Sequence, residues 1–482
     1  MKKAYIETYG CQMNISDTEL MHGILAGQGY EAAESPEEAD VILVNTCAIR
    51  DHAEQRVLGR VGQLQQYRQS RPEVVIGVTG CMAQRMGSDL LEKAGGVDLV
   101  MGPDAYRQLP EALRALAHLR PDPRPQPDPR PDPRPDPRPD PRPNPSARVL
   151  PVFGTPSSPA RGLTVLNFDP FENYEGVEPR RTSEVSAWVP IQRGCNYRCT
   201  YCIVPYVRGD EKNRDSEQIL REVRTLVAEG VPEVTLLGQT VNSYEHGDWN
   251  FPRLLRAVAR VEGLRRVRFT SPHPNDFTRE LVEVMATEPT VCKQLHLPVQ
   301  SGHNRTLKRM LRRYTVEAYR EKIAWVREAM PGSALSTDII VAFPGETEEE
   351  YEATLDLVRE IRYDDAYLYK YSPRDGTPAT RLPQEQFIPD EIAQERLEKL
   401  IALHREIQAE INRAELGRVE EVLVEKEARR GGMQGRTESN KVVSFAGPAS
   451  LIGTFLEVRL TATSGATFSG ELLEDLATRQ VA

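Results

Sequence analysis

In the N-terminal part of the chain, short apolar runs alternate with stretches that repeat apolar residues at helical spacing. Ala4 to Thr8, Val41 to Asn45 and Val74 to Thr79 read as short buried strands with helices between them. Strands that alternate with helices predict a parallel sheet. Ser16 and Glu19 have capping-box spacing and place the start of the first helix there. A longer series of the same kind follows. Its strand-like runs end near Gln192, Gly238, Ser271, Pro298, Phe343 and Ser372, each followed by a helical stretch. Asp215 to Glu229 is one such stretch. Thr347 to Arg362 is another, opened by a Thr347/Glu350 capping box. Six strand–helix units predict a partial (β/α)6 barrel related to the eight-unit one. A polar helix from about Asp390 to Leu416 then leads into alternating strand patterns with Gly-rich turns. These predict a small antiparallel β-barrel. The fold class expected is therefore α/β, multidomain.

Between the two α/β series the pattern stops. Arg120 to Pro145 reads RPDPRPQPDPRPDPRPDPRPDPRPNP. Proline at alternate positions removes ladder donors and forbids helix, so this stretch predicts an extended, semi-rigid spacer. Its alternating charges cancel, which favours a low-complexity linker over a binding arm. The expected organisation is an N-terminal domain at 1–119, the linker at 120–148, a connecting segment at 149–180, the barrel at 181–412 and the small β-barrel at 413–482.

Composition narrows the function. Acidic side chains outnumber basic ones, 71 to 61, for a net charge of −10. That balance argues against non-specific nucleic-acid binding by the whole surface and leaves room for a local basic patch. No apolar run reaches about 18 residues, so no transmembrane helix is expected. The start, MKKAYIETYGCQMN, lacks the apolar core of a signal peptide, and a cytoplasmic location is expected. Seven cysteines, an odd number, argue against a disulfide framework and for metal or redox chemistry.

The strongest motif is RGCNYRCTYC at 193–202, which spaces Cys195, Cys199 and Cys202 as CxxxCxxC just past the first barrel strand. Barrel active sites are built on that face. Three thiolates can hold three irons of a 4Fe–4S cluster and leave the fourth open to the amino and carboxylate groups of S-adenosylmethionine. A structural zinc site would want a fourth ligand, and no Cys or His stands nearby in sequence. Cys11, Cys47 and Cys81 are far apart, yet each follows a predicted strand, in TYGC, NTC and TGC. Parallel strands would bring all three to one sheet edge, where open α/β sheets bind ligands. A second three-thiolate cluster follows, against the alternative of three separate buried thiols. Cys292 has no motif and reads as a core thiol.

The CxxxCxYC loop on a partial barrel resembles the radical S-adenosylmethionine superfamily. The three-part layout resembles its methylthiotransferases over nearly the whole chain. The N-terminal domain looks like that family's own domain, and the tail like its nucleic-acid-binding TRAM barrel. YGCQMN, VPYVRG, GQTVNSY, LHLPVQSG, FPGETEEE, YSPRDGTPA and GRTESNKVV carry the likeness, most closely to the bacterial tRNA branch. Gly209 to Arg214 and Ala342 depart from the family pattern at local contacts. The resemblance implies two 4Fe–4S clusters, S-adenosylmethionine, and methylthiolation of C2 of N6-(dimethylallyl)adenosine next to the tRNA anticodon. It also implies cofactor contacts at Tyr201, Gly238 and Ser271, an electron donor such as flavodoxin or ferredoxin, and no membrane partner; a monomer is expected. Alternative targets are threonylcarbamoyladenosine in tRNA or an aspartate of a ribosomal protein. An alternative of another class is a non-enzymatic iron–sulfur RNA-binding protein, against which the intact CxxxCxxC speaks.

RNA contacts are expected in two places. HNRTLKRMLRRY at 303–314 holds five cations and no acid, and Arg305, Lys308, Arg309 and Arg312 recur at helical spacing. In the tail, Arg429, Arg430, Arg436 and Lys441 cluster around Gly-rich turns. The alternative for 303–314 is a solvated outer helix.

Overall fold

The computed structural model describes residues 1–48, 51–119 and 162–473. The Pro-rich linker expected at 120–148 lies outside the described residues.

The N-terminal domain is a six-stranded sheet of β1 (Lys2–Tyr9), β2 (Tyr30–Ala32), β3 (Val41–Thr46), β4 (Val75–Gly80), β5 (Leu99–Met101) and β6 (Leu163–Val165), in the order β2-β1-β3-β4-β5-β6. Every neighbouring pair is parallel. β3 and β4 are buried along their whole length because both faces are covered. Val41 and Leu43 pack toward helix α1 (Gln12–Ala26), while Ile42 and Val44 pack into a second core on the opposite face. β6 was expected to belong to a connecting segment. It completes this sheet instead, through the β5 pairing that aligns Leu99 with Leu163. Its edge position needs only three residues, too short a run to stand out by periodicity.

Helix α1 begins at Gln12 with Cys11 as N-cap, so Ser16 and Glu19 lie inside it and form no capping box. Glu19 has a different task. Its carboxylate accepts from the backbone N–H of Thr182 at 3.0 Å, its hydroxyl at 2.8 Å and Arg181 at 3.1 Å, tying the sheet domain to the entry of the barrel. The Thr347/Glu350 capping box forms as expected at the start of a helix that spans Glu348–Ile361.

The second domain is an arc of β7 (Ser186–Pro190), β8 (Glu233–Leu237), β9 (Arg266–Phe269), β10 (Gln294–His296), β11 (Ala334–Val341) and β12 (Asp365–Lys370). They form two three-stranded parallel sheets. A parallel bridge between Val267 and Val291 joins the two, giving the expected partial barrel. The outer helices close over one continuous core that includes Val189, Leu236, Val267, Ile339 and Tyr351.

The tail is a closed five-stranded barrel of β13 (Val419–Glu427), β14 (Met433–Thr437), β15 (Val442–Phe445), β16 (Phe455–Ser464) and β17 (Thr467–Leu472), filled by Val422, Val424, Val443, Val458 and Phe468. One seam, β15 with β17, is parallel, so the barrel is not antiparallel throughout. Buried Arg266 and Arg268 of β9 donate to the carbonyls of Glu421, Arg436, Thr437 and Glu438 at 2.7–3.0 Å and dock it. Among the described residues no helix is long and apolar enough to cross a membrane.

Candidate functional site: two thiol triads across one interface

The sequential order of the strands reverses between β1 and β3, which leaves the kind of crevice where open α/β sheets bind ligands. Cys11 follows β1, Cys47 follows β3 and Cys81 follows β4. Two glycines make their approach possible. Gly10 has φ +148°, and a Cβ there would stand 2.7 Å from the Cys47 Cβ. Gly80 has φ +91°, and a Cβ would stand 2.5 Å from the Thr46 carbonyl oxygen and from Asn45 Oδ1. Only glycine allows both the turn and the crowding. Behind the thiols, buried Asn14 and Asn45 knit the loops: Asn45 Nδ2 donates to the Asn14 carbonyl at 2.7 Å, and Asn14 Nδ2 to the Thr46 carbonyl at 3.1 Å.

The three thiols converge. Cys11 and Cys47 share a hydrogen bond, which brings the Cys11 thiol down to about 6 against the effect of burial, helped by the Arg208 charge and the N–H groups of Asn14 and Met13. Burial pushes Cys81 up, and Arg208 opposes it. Burial pushes Arg374, from the YSPRDGTPA stretch, below its ordinary value, and the neighbouring Cys47 opposes this.

The second triad lies on the loop after β7. Cys195 and Cys199 are buried. Burial pushes Cys195 up to about 11 and Cys202 up to about 12, the neighbouring thiols adding to the shift. Thiols so placed ionise when a metal takes the proton's place, not in bulk solvent. Among the described residues no three His, Cys, Asp or Glu side chains meet at the spacing of a single metal ion. The donor sets fit multi-iron clusters: three thiols each, and a buried guanidinium beside one sulfur in each set.

Arg312 is the guanidinium of the second triad. Its Nη1 lies 3.5 Å from Cys199 Sγ, Nη2 donates to the Pro298 carbonyl at 3.1 Å, and Nε to the Tyr314 hydroxyl at 3.0 Å. This corrects its assignment to an RNA-facing helix. The helix covers only Asn304–Arg309, and Leu311 turns away at φ +55°, so Arg305, Lys308, Arg309 and Arg312 do not share one face. Arg305 pairs with Glu349 and Glu350, and Arg309 with Glu350. In the tail, Arg436 pairs with Glu425 at 3.0 Å. Lys441 is buried against Glu415 at 2.6 Å and Asp364 at 3.0 Å, a strut and not a phosphate contact. Lys308, Arg429 and Arg430 stay exposed and ion-pair with none of the described residues.

The two triads meet through a feature that sequence reading missed. Asp17 of α1 is wholly buried between Arg193, 2.9 Å away, and Arg208, 2.6 Å away. Burial works against its charge, but the two guanidinium groups outweigh it and hold the carboxyl below the usual carboxylate range. Arg193 immediately precedes the Gly194–Cys195 turn, and Arg208 closes helix α2 (Val204–Arg208), just after Cys202. Ala48 and Cys81 pack against Ile203 and Val207 beside this network. RGC and VRG contain the two arginines, but nothing in their spacing tells that they meet Asp17.

For the expected cofactor contacts, Gly238 and Ser271 stand at the ends of neighbouring strands β8 and β9. The Ser271 carbonyl accepts from the N–H of Val241 at 3.3 Å, and a Cβ at Gly238 would stand 2.9 Å from Gln192 Oε1. Tyr201 packs edge-on against Phe343 at 6.5 Å. Cys292 is buried in the core, as expected.

A three-cysteine loop at the carboxyl edge of a partial parallel barrel defines the class, the radical S-adenosylmethionine proteins. Residues 189–358 match the Radical SAM superfamily, 413–473 the TRAM domain, and 3–102 a family described as Uncharacterized protein family UPF0004. Among solved structures, the radical S-adenosylmethionine methyltransferase TsrM from Kitasatospora setae shares the fold, with TM-score 0.54 at 14% identity over 84% of this chain and 89% of that one. The tRNA-2-methylthio-N(6)-dimethylallyladenosine synthase of Bacteroides thetaiotaomicron is 42% identical over 98% of this chain and 96% of its own length. That of Carboxydothermus hydrogenoformans is 40% identical over 95% and 97%. The chain belongs to this methylthiotransferase family.

Proposed function

We propose that this chain is a transferase that places a methylthio group on C2 of N6-(dimethylallyl)adenosine next to the anticodon of tRNA, using two 4Fe–4S clusters and S-adenosylmethionine. The observation that carries this reading is the pair of three-thiol sites, one on each α/β domain, joined through buried Asp17. Three thiolates per cluster leave one iron open in each. Cys195, Cys199 and Cys202 would hold the cluster that binds S-adenosylmethionine, near Tyr201, Gly238 and Ser271. Cys11, Cys47 and Cys81 would hold the other.

When bound, these groups supply the radical that removes hydrogen from C2 and the sulfur and methyl that replace it. The chain's own residues bind, orient and exclude water. Asn14, Asn45 and the two glycines fix the first triad, and Arg312 braces Cys199. The tail barrel suits a single-stranded loop, with exposed Lys308, Arg429 and Arg430 for phosphates. The target base must leave its stack to reach the barrel. A tRNA substrate implies a cytoplasmic site of action and a donor of electrons such as flavodoxin or ferredoxin.

The test is mass spectrometry of tRNA nucleosides from a strain lacking the gene. The methylthio nucleoside should vanish and its N6-(dimethylallyl)adenosine precursor accumulate. Unchanged tRNA, with loss of a modified ribosomal aspartate, would move the target to the sister group.

A further inference from the structure

The two arginines beside the thiol triads are not equivalent. Arg312 directs each of its nitrogens at a sulfur, a carbonyl or a hydroxyl. Arg208 is 4% exposed. Its Nε donates to Cys81 Sγ at 3.1 Å and its Nη2 to Asp17 Oδ2 at 2.6 Å, but its Nη1 is buried with no hydrogen-bond partner. Buried donors without partners are rare in folded proteins, and one beside a thiol triad calls for an anionic acceptor that completes it. The arginine also comes from the other domain: helix α2 follows the CxxxCxxC loop, whereas Cys81 opens a helix after β4.

We propose that Arg208 is the positioning residue through which the radical domain holds and tunes the cluster of the N-terminal domain. Asp17 fixes the guanidinium, Nε holds the Cys81 thiolate, and the unpartnered Nη1 is left to donate to the cluster's sulfur. This rests on the reading that Cys11, Cys47 and Cys81 carry a cluster. Adding one electron to that cluster adds one negative charge. A fixed cation hydrogen-bonded to a ligand sulfur stabilises the reduced form and raises the potential.

The experiment uses the full chain with Cys195, Cys199 and Cys202 changed to Ala, so that only the N-terminal cluster is observed. After anaerobic reconstitution, its midpoint is followed by electron paramagnetic resonance as a chemical reductant is added with mediators. Arg208→Gln should make the reduced form about tenfold less favoured, which is about 59 mV more negative for one electron. Arg208→Lys keeps the charge but not the fork, and should fall between wild type and Arg208→Gln. Arg208→Gln that folds but retains less iron than Arg208→Lys also supports the role. Should Arg208→Gln not fold, Arg208→Lys decides alone: a more negative midpoint supports the proposal and an unchanged one overturns it. Midpoints of both variants equal to wild type overturn it while leaving the cluster in place. A parent protein that holds no iron at all removes the cluster reading itself, and this proposal with it.

Discussion

The loop triad and the sheet-edge triad hold the same three-thiol donor set and are built in opposite ways. Cys195, Cys199 and Cys202 sit on one short loop, and local chain geometry brings them together. Cys11, Cys47 and Cys81 come from three strands, and only the parallel order of β1, β3 and β4 gathers them. The first site can therefore survive damage to the sheet, whereas the second depends on every turn that leads a strand into it. The two differ in their arginines as well. Arg312 belongs to the same domain as the sulfur it braces. Arg208 reaches across the interface, so Cys81 has this hydrogen bond only when the two domains are docked.

The largest expected effect separates the sites by iron content. With about eight irons in the reconstituted wild type, changing Cys195, Cys199 and Cys202 together to Ala should leave about half. Changing Cys11, Cys47 and Cys81 should leave the other half. Full retention, or loss of nearly all iron from a folded protein, would end the comparison. By activity, single Ala variants of Cys11, Cys47 or Cys81 should lose methylthiolation yet still cleave S-adenosylmethionine, as measured by 5′-deoxyadenosine formation. If all cleavage also disappears, the division of labour fails.

Next in size is the joint between the sites. Asp17→Ala leaves two buried guanidinium groups without their carboxylate, a change that costs about 3–5 kcal/mol in buried pairs. It should lower the denaturation midpoint sharply and lower iron retention at both triads. A variant with near-normal stability would show that Arg193 and Arg208 find other partners.

Smaller again is Gly80→Ala, which adds a Cβ 2.5 Å from the Thr46 carbonyl oxygen at a positive φ. Crowding and strain of this kind cost about 1–3 kcal/mol. The sheet-edge triad should lose iron while the loop triad keeps it; equal loss at both would contradict their independence. The smallest effect is on RNA. Arg429→Ala plus Arg430→Ala should weaken binding of an anticodon stem–loop. Its salt dependence should flatten by about 0.7 to 0.9 log unit per log unit of salt for each phosphate no longer neutralised. Lys441→Ala, by contrast, should act first on stability, because Lys441 bridges Glu415 and Asp364.

What the chain determines by itself is whatever depends on neighbours in sequence. The CxxxCxxC spacing, the Thr347/Glu350 cap and the alternation of strands with helices were legible because each is settled within a few residues, by loop reach or by the periodicity of strand and helix. Even the sheet-edge triad could be read, since parallel strands put their carboxyl ends on one side whatever their order. Tertiary structure decided the rest. Ser16 and Glu19 have the spacing of a cap, but the helix starts earlier, at Gln12, and Glu19 serves the interdomain seam. The cations of 303–314 have helical spacing, but the helix stops at Arg309 and Arg312 turns inward to Cys199. Asp17, Arg193 and Arg208 carry no spacing signal at all, because they lie on separate elements and meet only when the domains close. A charge is identifiable in a sequence. Whether it faces water, a carboxylate or a sulfur depends on what the rest of the fold packs against it.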